Sequence, residues 1–224
     1  SIRHNTLALD GKRLYLIDRP LAERDRLDFK KDEQQEPPQQ PGGELIALDI
    51  QTGKSVWQVA EDIYGTLLIV SAKHDALLMP YQITSFKLPS EVGGKMAAFR
   101  ASDGTKLWDI QANYKSRPIV NDRTIYAQPD SWDLLTGERR EMKFARSYGC
   151  GTLAGSTYLL AYRSATLGYW DLRTGTETIN YGGIRPGCWI NAIPAGGLLL
   201  MPEASNRCTC SYLIKANVAL QPAH

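Results

Sequence analysis

The sequence predicts an all-β protein made of repeated four-stranded antiparallel units, and three observations carry that prediction. The first is a recurring segment: an apolar-alternating strand, a Thr-Gly or Asp-Gly turn, then a second strand. It reads Ala47-Leu48-Asp49-Ile50-Gln51-Thr52-Gly53-Lys54-Ser55-Val56-Trp57, then Ala98-Phe99-Arg100-Ala101-Ser102-Asp103-Gly104-Thr105-Lys106-Leu107-Trp108. Shorter copies are Trp132-Asp133-Leu134-Leu135-Thr136-Gly137-Glu138 and Trp170-Asp171-Leu172-Arg173-Thr174-Gly175-Thr176. The second is another hairpin upstream of each copy, as in residues 11–18, 121–126 and 195–201. The third is that no segment sustains a 3.6-residue period, so helices should be few. The turn glycine supplies the positive φ that a tight hairpin needs. The Trp closing the first two copies suits packing between neighbouring sheets. Two hairpins make a four-stranded blade. The turn glycines at 53, 104, 137 and 175 are spaced by 51, 33 and 38 residues, near the roughly forty per blade of a β-propeller.

About five blade units follow, at approximately 5–59, 63–110, 114–143, 148–181 and 187–222, in one domain spanning residues 1–224. The pattern A-L-D-x-x-T-G-K-x-x-W resembles the repeat of pyrroloquinoline-quinone (PQQ) enzymes. That repeat also occurs in propellers that bind no quinone, such as the lipoprotein scaffold of outer-membrane protein assembly. The stretch from Tyr148 to Pro222, with GCG, GGIRPGCWINAIPAGG and PEASNRCTCSY, resembles the C-terminal end of PQQ-like propeller proteins of environmental bacteria. Such propellers close with six to eight blades. Five units then mean the C-terminal part of a larger propeller, which the resemblance favours, or an unusually small closure, or pairing with another chain. In an open propeller, remaining blades or a homo-oligomer would cover edges that otherwise stay unpaired.

Composition narrows the function classes. The net charge of +2, from 26 basic and 24 acidic residues, gives no electrostatic reason to expect a nucleic-acid partner. No apolar run approaches the roughly 20 residues of a transmembrane helix. The opening Ser1-Ile2-Arg3-His4 is polar, lacks an initiator Met and forms no signal peptide, as expected of a trimmed start.

Two insertions interrupt the pattern between the second and third strands of their blades, which predicts that both project from one face. Residues 20–43 are polar and proline-rich around Glu33-Gln34-Gln35-Glu36-Pro37-Pro38, and read as a flexible surface loop. The shorter one, about 80–94, contains Tyr81 and Phe86 and is the better candidate for a contact.

The cysteines give the sharpest pattern. Cys150, in Gly149-Cys150-Gly151, and Cys188, in Gly187-Cys188-Trp189, lie 38 residues apart, the interval between Gly137 and Gly175. They are expected at equivalent positions opening the innermost strands of adjacent blades, near the channel mouth. Cys208 and Cys210 fall in the later connection of the last blade, on the same expected face. The even count fits disulfides in an exported protein, periplasmic or secreted. A four-thiolate metal site, zinc or, given the C-x-C pair, copper, is the alternative, and reactive free thiols are a third.

Two arginines are expected to look toward the same mouth: Arg117 before Pro118, and Arg185 in the connection leading to Cys188. With Tyr148 and Trp189 they form a candidate ligand-binding set, because guanidinium beside aromatics can hold a carboxylate or a sugar. Pairing with blade carboxylates is the competing role.

No catalytic constellation is legible. The adjacent Cys-Cys pair of quinoprotein dehydrogenases is missing, and so is a convincing carboxylate and amide set for calcium. PQQ and calcium are therefore not expected in this chain alone. The histidines at 4, 74 and 224 have no ligand spacing, and there is no G-x-S-x-G, phosphate loop or H-E-x-x-H. His74 sits at an expected hairpin turn. These readings favour a non-catalytic module that binds a protein or a small-molecule or carbohydrate ligand at the channel mouth. The rival class is an enzyme, either a quinoprotein oxidoreductase fragment or a propeller polysaccharide lyase.

Overall fold

A computed structural model describes residues 2–20, 42–83, 91–187, 192–203, 209–212 and 216–221, with side chains from Thr6 onward. Every regular element among them is a β-strand. The strands form five antiparallel sheets in which sequence neighbours pair, so each sheet is a meander. The first contains β1 (Ile2–Leu9), β2 (Arg13–Asp18), β3 (Glu44–Asp49) and β4 (Ser55–Val59). The second contains β5 (Ile69–Ser71), β6 (Ala76–Tyr81), β7 (Lys95–Arg100) and β8 (Lys106–Gln111). The third is β9 (Ile119–Asn121), β10 (Thr124–Ala127), β11 (Asp130–Asp133) and β12 (Arg139–Arg140). The fourth is β13 (Ala154–Gly155), β14 (Leu159–Ser164), β15 (Thr166–Asp171) and β16 (Ile179–Tyr181). The described part of the fifth has three strands, β17 (Ile193–Ala195), β18 (Leu198–Met201) and β19 (Val218–Leu220). These are the blade-type sheets of an all-β propeller fold.

The turn glycines do what the pattern requires. Gly53, Gly104 and Gly137 have φ of 68°, 77° and 71°, a region that costs an L side chain roughly 1–2 kcal/mol. Gly53 N–H donates to the Asp49 carbonyl and Gly104 N–H to that of Arg100, both at 2.8 Å. The carboxylate of Asp49 accepts the N–H groups of Gln51 and Thr52, an Asx-type turn. Those bonds, Thr52 first, hold its pKa below the usual carboxylate value.

The chain divides into two compact units. The first comprises residues 1–113 and 134–138, and the second residues 114–133 and 139–224. In the first, one face of the first sheet packs on the second sheet. Tyr15, Ile17, Leu45, Ala47, Leu77, Met79, Ala97 and Phe99 form a core in which each is at most 1% exposed. Burial of this apolar surface at about 25 cal/mol per Å² drives the pairing. Two tryptophans at the same place in the repeat then clasp the following turn. The Trp57 indole N–H donates to the Ala101 carbonyl, and that of Trp108 to the Leu134 carbonyl, each at 2.9 Å. The rings lie against glycine: a Cβ at Gly104 would sit 2.7 Å from Trp57, and one at Gly137 would sit 2.9 Å from Trp108.

Tyr81 departs from its expected place in a projecting loop. It ends β6 and is 1% exposed, its hydroxyl donating to the Asp62 carbonyl at 2.6 Å. The apolar run Ala76–Tyr81, buried at every position, drew the strand two residues further than the proline at position 80 suggested. Phe86 and residues 21–41 of the long insertion lie outside the described residues.

In the second unit, Phe144, Leu153, Leu160, Tyr162 and Trp170 make one core cluster, and Ala161, Leu167, Ala192, Leu199 and Met201 another. Trp132 and Trp170 stand where the first two repeats carry Leu48 and Phe99. At the clasp position, four residues past the turn glycine, the third and fourth repeats carry Glu141 and Ile179.

Candidate functional site

The loop leading into the fourth sheet is held by the buried Phe144 and Leu153 and by an arginine that gathers its carbonyls. Arg146 donates from Nε to the Arg163 carbonyl at 3.0 Å, and from its Nη atoms to the carbonyls of Gly149, Cys150 and Gly151 at 3.2–3.3 Å. Five N–H donors in a fixed fork are what allow one side chain to gather several carbonyls. Ser147 N–H donates to Ser164 Oγ, and Ala165 N–H to the Tyr148 carbonyl, so the loop lies across the β14–β15 hairpin. Desolvation first of all pushes the Arg146 pKa below the usual arginine value. Behind it, burial raises the Tyr162 phenol to about 12.

Arg163, on β14, is fully buried. Its guanidinium carbon lies 5.6 Å from the centre of the Tyr148 ring, within cation–π range, while Tyr148 itself is 56% exposed. A Cβ on Gly149 would fall 2.7 Å from Arg163 Cγ, so glycine is what lets the loop reach that side chain. The result is an aromatic platform, cationic underneath and open to solvent above. Such a surface can stack a peptide side chain, a sugar face or an amide plane.

The other sequence-predicted residues fall around this unit as follows. Arg117 precedes β9, is exposed, and makes no ion pair or hydrogen bond with another described residue. Arg185 is buried, donating from Nε to the Ser211 carbonyl at 2.9 Å and from Nη1 to the Pro186 carbonyl at 3.3 Å. Its role is thereby to tie the two connections flanking the fifth sheet's strands. Cys150 is exposed in the Arg146-held loop, four residues before β13, rather than opening that strand. Cys210 is half-buried, and these two thiols are not bonded to each other. Cys188, Trp189 and Cys208 lie outside the described residues. Among the described residues no group of three or more His, Cys, Asp or Glu side chains is placed to hold a metal. His74 lies in the turn between β5 and β6.

Sequence reasoning overlooked Arg146 and Arg163. The signal for Arg163 was present: a lone charge inside the apolar run Tyr158-Leu159-Leu160-Ala161-Tyr162-Arg163 must find compensation if the strand is buried. Nothing in the sequence distinguishes Arg146 from a solvated surface arginine.

No protein-family model matches the chain. Among curated proteins, the outer membrane protein assembly factor BamB of Burkholderia pseudomallei is 26% identical over 129 residues, covering 54% of this chain and 34% of that protein. The matched region thus spans about a third of the relative's length. Among solved structures, BamB from Moraxella catarrhalis aligns with a TM-score of 0.49 at 15% identity, over 97% of this chain and 64% of that one. A europium-containing methanol dehydrogenase aligns with a TM-score of 0.48 at 11% identity, over 90% and 48%. No helix among the described residues is long and apolar enough to cross a membrane. With its repeat-spaced antiparallel sheets, glycine turns and indole clasps, the chain has the blade-type sheets of a β-propeller, and over about half its length it is similar in sequence to an outer membrane protein assembly factor.

Proposed function

We propose that the chain is a non-catalytic propeller module of the cell envelope, located in the periplasm. It binds a protein partner through the loops that lead into the blades of its second unit. Tyr148 is the anchor, Arg117 supplies a charge free to meet a carboxylate, and Arg185 holds a neighbouring connection in place. The observation that carries this reading is the Tyr148 platform: an exposed aromatic ring fixed over a buried arginine. Aromatic and arginine side chains dominate the energetics of protein interfaces, and a ring already held in place loses little entropy on binding. The sequence similarity to an outer membrane protein assembly factor supports a role in that process.

The test places a photo-crosslinking amino acid at Tyr148, with a second version at Lys73 in the other unit as control, and expresses both in a Gram-negative envelope. The expected result is an adduct with an outer-membrane assembly protein at position 148 that is absent at 73. No adduct at 148, or equal adducts at both, contradicts the proposed site. Alcohol-dependent dye reduction after addition of PQQ and calcium would contradict the non-catalytic reading. Elemental analysis of the same preparation decides whether Cys150, Cys188, Cys208 and Cys210 carry zinc or copper.

A further inference from the structure

The third sheet carries a charge arrangement that sets it apart from the other repeats. Four residues before the turn glycine, the first, third and fourth repeats have Asp49, Asp133 and Asp171, and the second has Arg100. Asp49 and Asp171 are partly exposed and accept backbone N–H groups of their own turns, from Gln51 and Thr52 and from Arg173. The Asp133 side chain is only 1% exposed, and two arginines from other elements converge on it. Arg123, in the β9–β10 turn, donates from Nε to Asp133 Oδ2 at 2.8 Å. Arg140, on β12, donates from Nη2 to the same oxygen at 2.9 Å.

One arginine compensates a buried carboxylate charge for charge. The second leaves a positive charge over, at a place where both guanidiniums stay about half exposed, 50% for Arg123 and 52% for Arg140. Each spends one N–H on Asp133 and has no other partner among the described residues, so the remaining donors of both forks gather at one place on the surface. The opposite face of the sheet shows the balanced case. Arg139 pairs with Trp132 and Arg140 with Ser131, so alternation puts the two arginines on opposite faces. There Asp130 takes Nε and Nη2 of Arg139 alone, at 2.8 and 2.7 Å.

We propose that Arg123 and Arg140 form a phosphate-binding site on the third sheet, with Asp133 as the post that holds the two guanidiniums side by side. A carboxylate is filled by one guanidinium in the bidentate manner, whereas a tetrahedral phosphate offers oxygens to two forks at once. Anchoring on a buried carboxylate restricts both long side chains beforehand, which lowers the entropy lost on binding. The ligand is a phosphate group, either free or carried on a lipid headgroup. The inference does not rest on the Tyr148 reading, because none of its three residues belongs to that loop.

Two probes test the site on the full chain at low ionic strength. Inorganic phosphate is titrated and followed by phosphorus NMR, and cosedimentation is measured with vesicles of phosphatidylglycerol in phosphatidylcholine, against phosphatidylcholine alone. Changing Arg123→Lys together with Arg140→Lys keeps the charges that compensate Asp133 and removes both forks. It should weaken binding about tenfold or more, while Arg139→Lys leaves binding unchanged. Asp133→Asn keeps an acceptor oxygen for the two donors and removes the competing charge. It should tighten binding severalfold, a gain that misfolding cannot mimic, and Asp130→Asn should not. Saturable phosphate binding without vesicle binding identifies a free phosphate ligand, and vesicle binding that phosphate displaces identifies a headgroup; both support the site. Three outcomes overturn it: neither probe binds, the double lysine variant binds as well as the parent, or Arg139→Lys weakens binding as much as the double variant does.

Discussion

The two units solve the same problem, holding a loop-rich sheet repeat together, with different chemistry. In the first, two indoles clasp the turns of the next repeats, Trp108 buried and Trp57 half-buried, each spending a single N–H on a carbonyl. In the second, the clasp positions carry Glu141 and Ile179, and arginines reach backbone carbonyls instead, Arg146 at its loop and Arg185 at Ser211. An indole fastens by burial and leaves a closed surface. A guanidinium gathers carbonyls into a loop and leaves neighbouring side chains such as Tyr148 pointing into solvent. The two fastenings differ in kind: indole on glycine turn in the first unit, guanidinium on loop carbonyls in the second.

The largest effect that would sharpen this contrast is loss of an indole. Trp108→Ala removes a ring that is 9% exposed and should cost about 3–5 kcal/mol, read from the urea midpoint. Ile179→Ala, at the equivalent but 43% exposed position, should cost about 1 kcal/mol or less. Equal losses would break the comparison. Next comes Arg146→Met, which leaves the Gly149–Gly151 carbonyls without their charged donor. A cost of about 1.5–3 kcal/mol is expected, together with faster exchange in that loop. A similar substitution at the exposed Arg117 should fall within about 0.5 kcal/mol of the parent.

A finer comparison uses two glycines of one conformation. Gly53→Ala and Gly104→Ala both put a side chain at positive φ, at about 1–2 kcal/mol each. Only the second also drives a Cβ to 2.7 Å from Trp57, so it should be the more destabilising of the pair. The smallest effect is that of acid. Asp49 and Asp103 are held below the usual carboxylate value, chiefly by the backbone N–H groups of Thr52 and Thr105 respectively. A lowered folded-state pKa gives stability that is present above the ordinary carboxylate pKa and is lost as pH falls through the folded value. The urea midpoint should therefore drop modestly from pH 5 to pH 2, and Asp49→Asn with Asp103→Asn should flatten that drop.

How much of this was legible in the sequence depends on the length scale of the signal. The turn glycines and the period-2 strands around them are local, so the blades and the Trp57 and Trp108 positions could be read directly. The role of each indole could be read only as packing, since its carbonyl acceptor lies 44 residues away for Trp57 and 26 for Trp108. Tyr81 was misplaced because Pro80 reads as a loop signal, whereas the apolar run around it was worth more buried in the sheet. Arg146 was invisible because its partners are backbone carbonyls, which every residue carries.

The central claim, that indole N–H to turn-carbonyl docking fastens the repeats of the first unit, is tested most directly by NMR of the indole protons. With assignments from Trp57→Phe and Trp108→Phe, both indole N–H groups should exchange with solvent far more slowly than the amides of the open Gly53 turn. Indole protons that exchange as fast as those of a free tryptophan would contradict it.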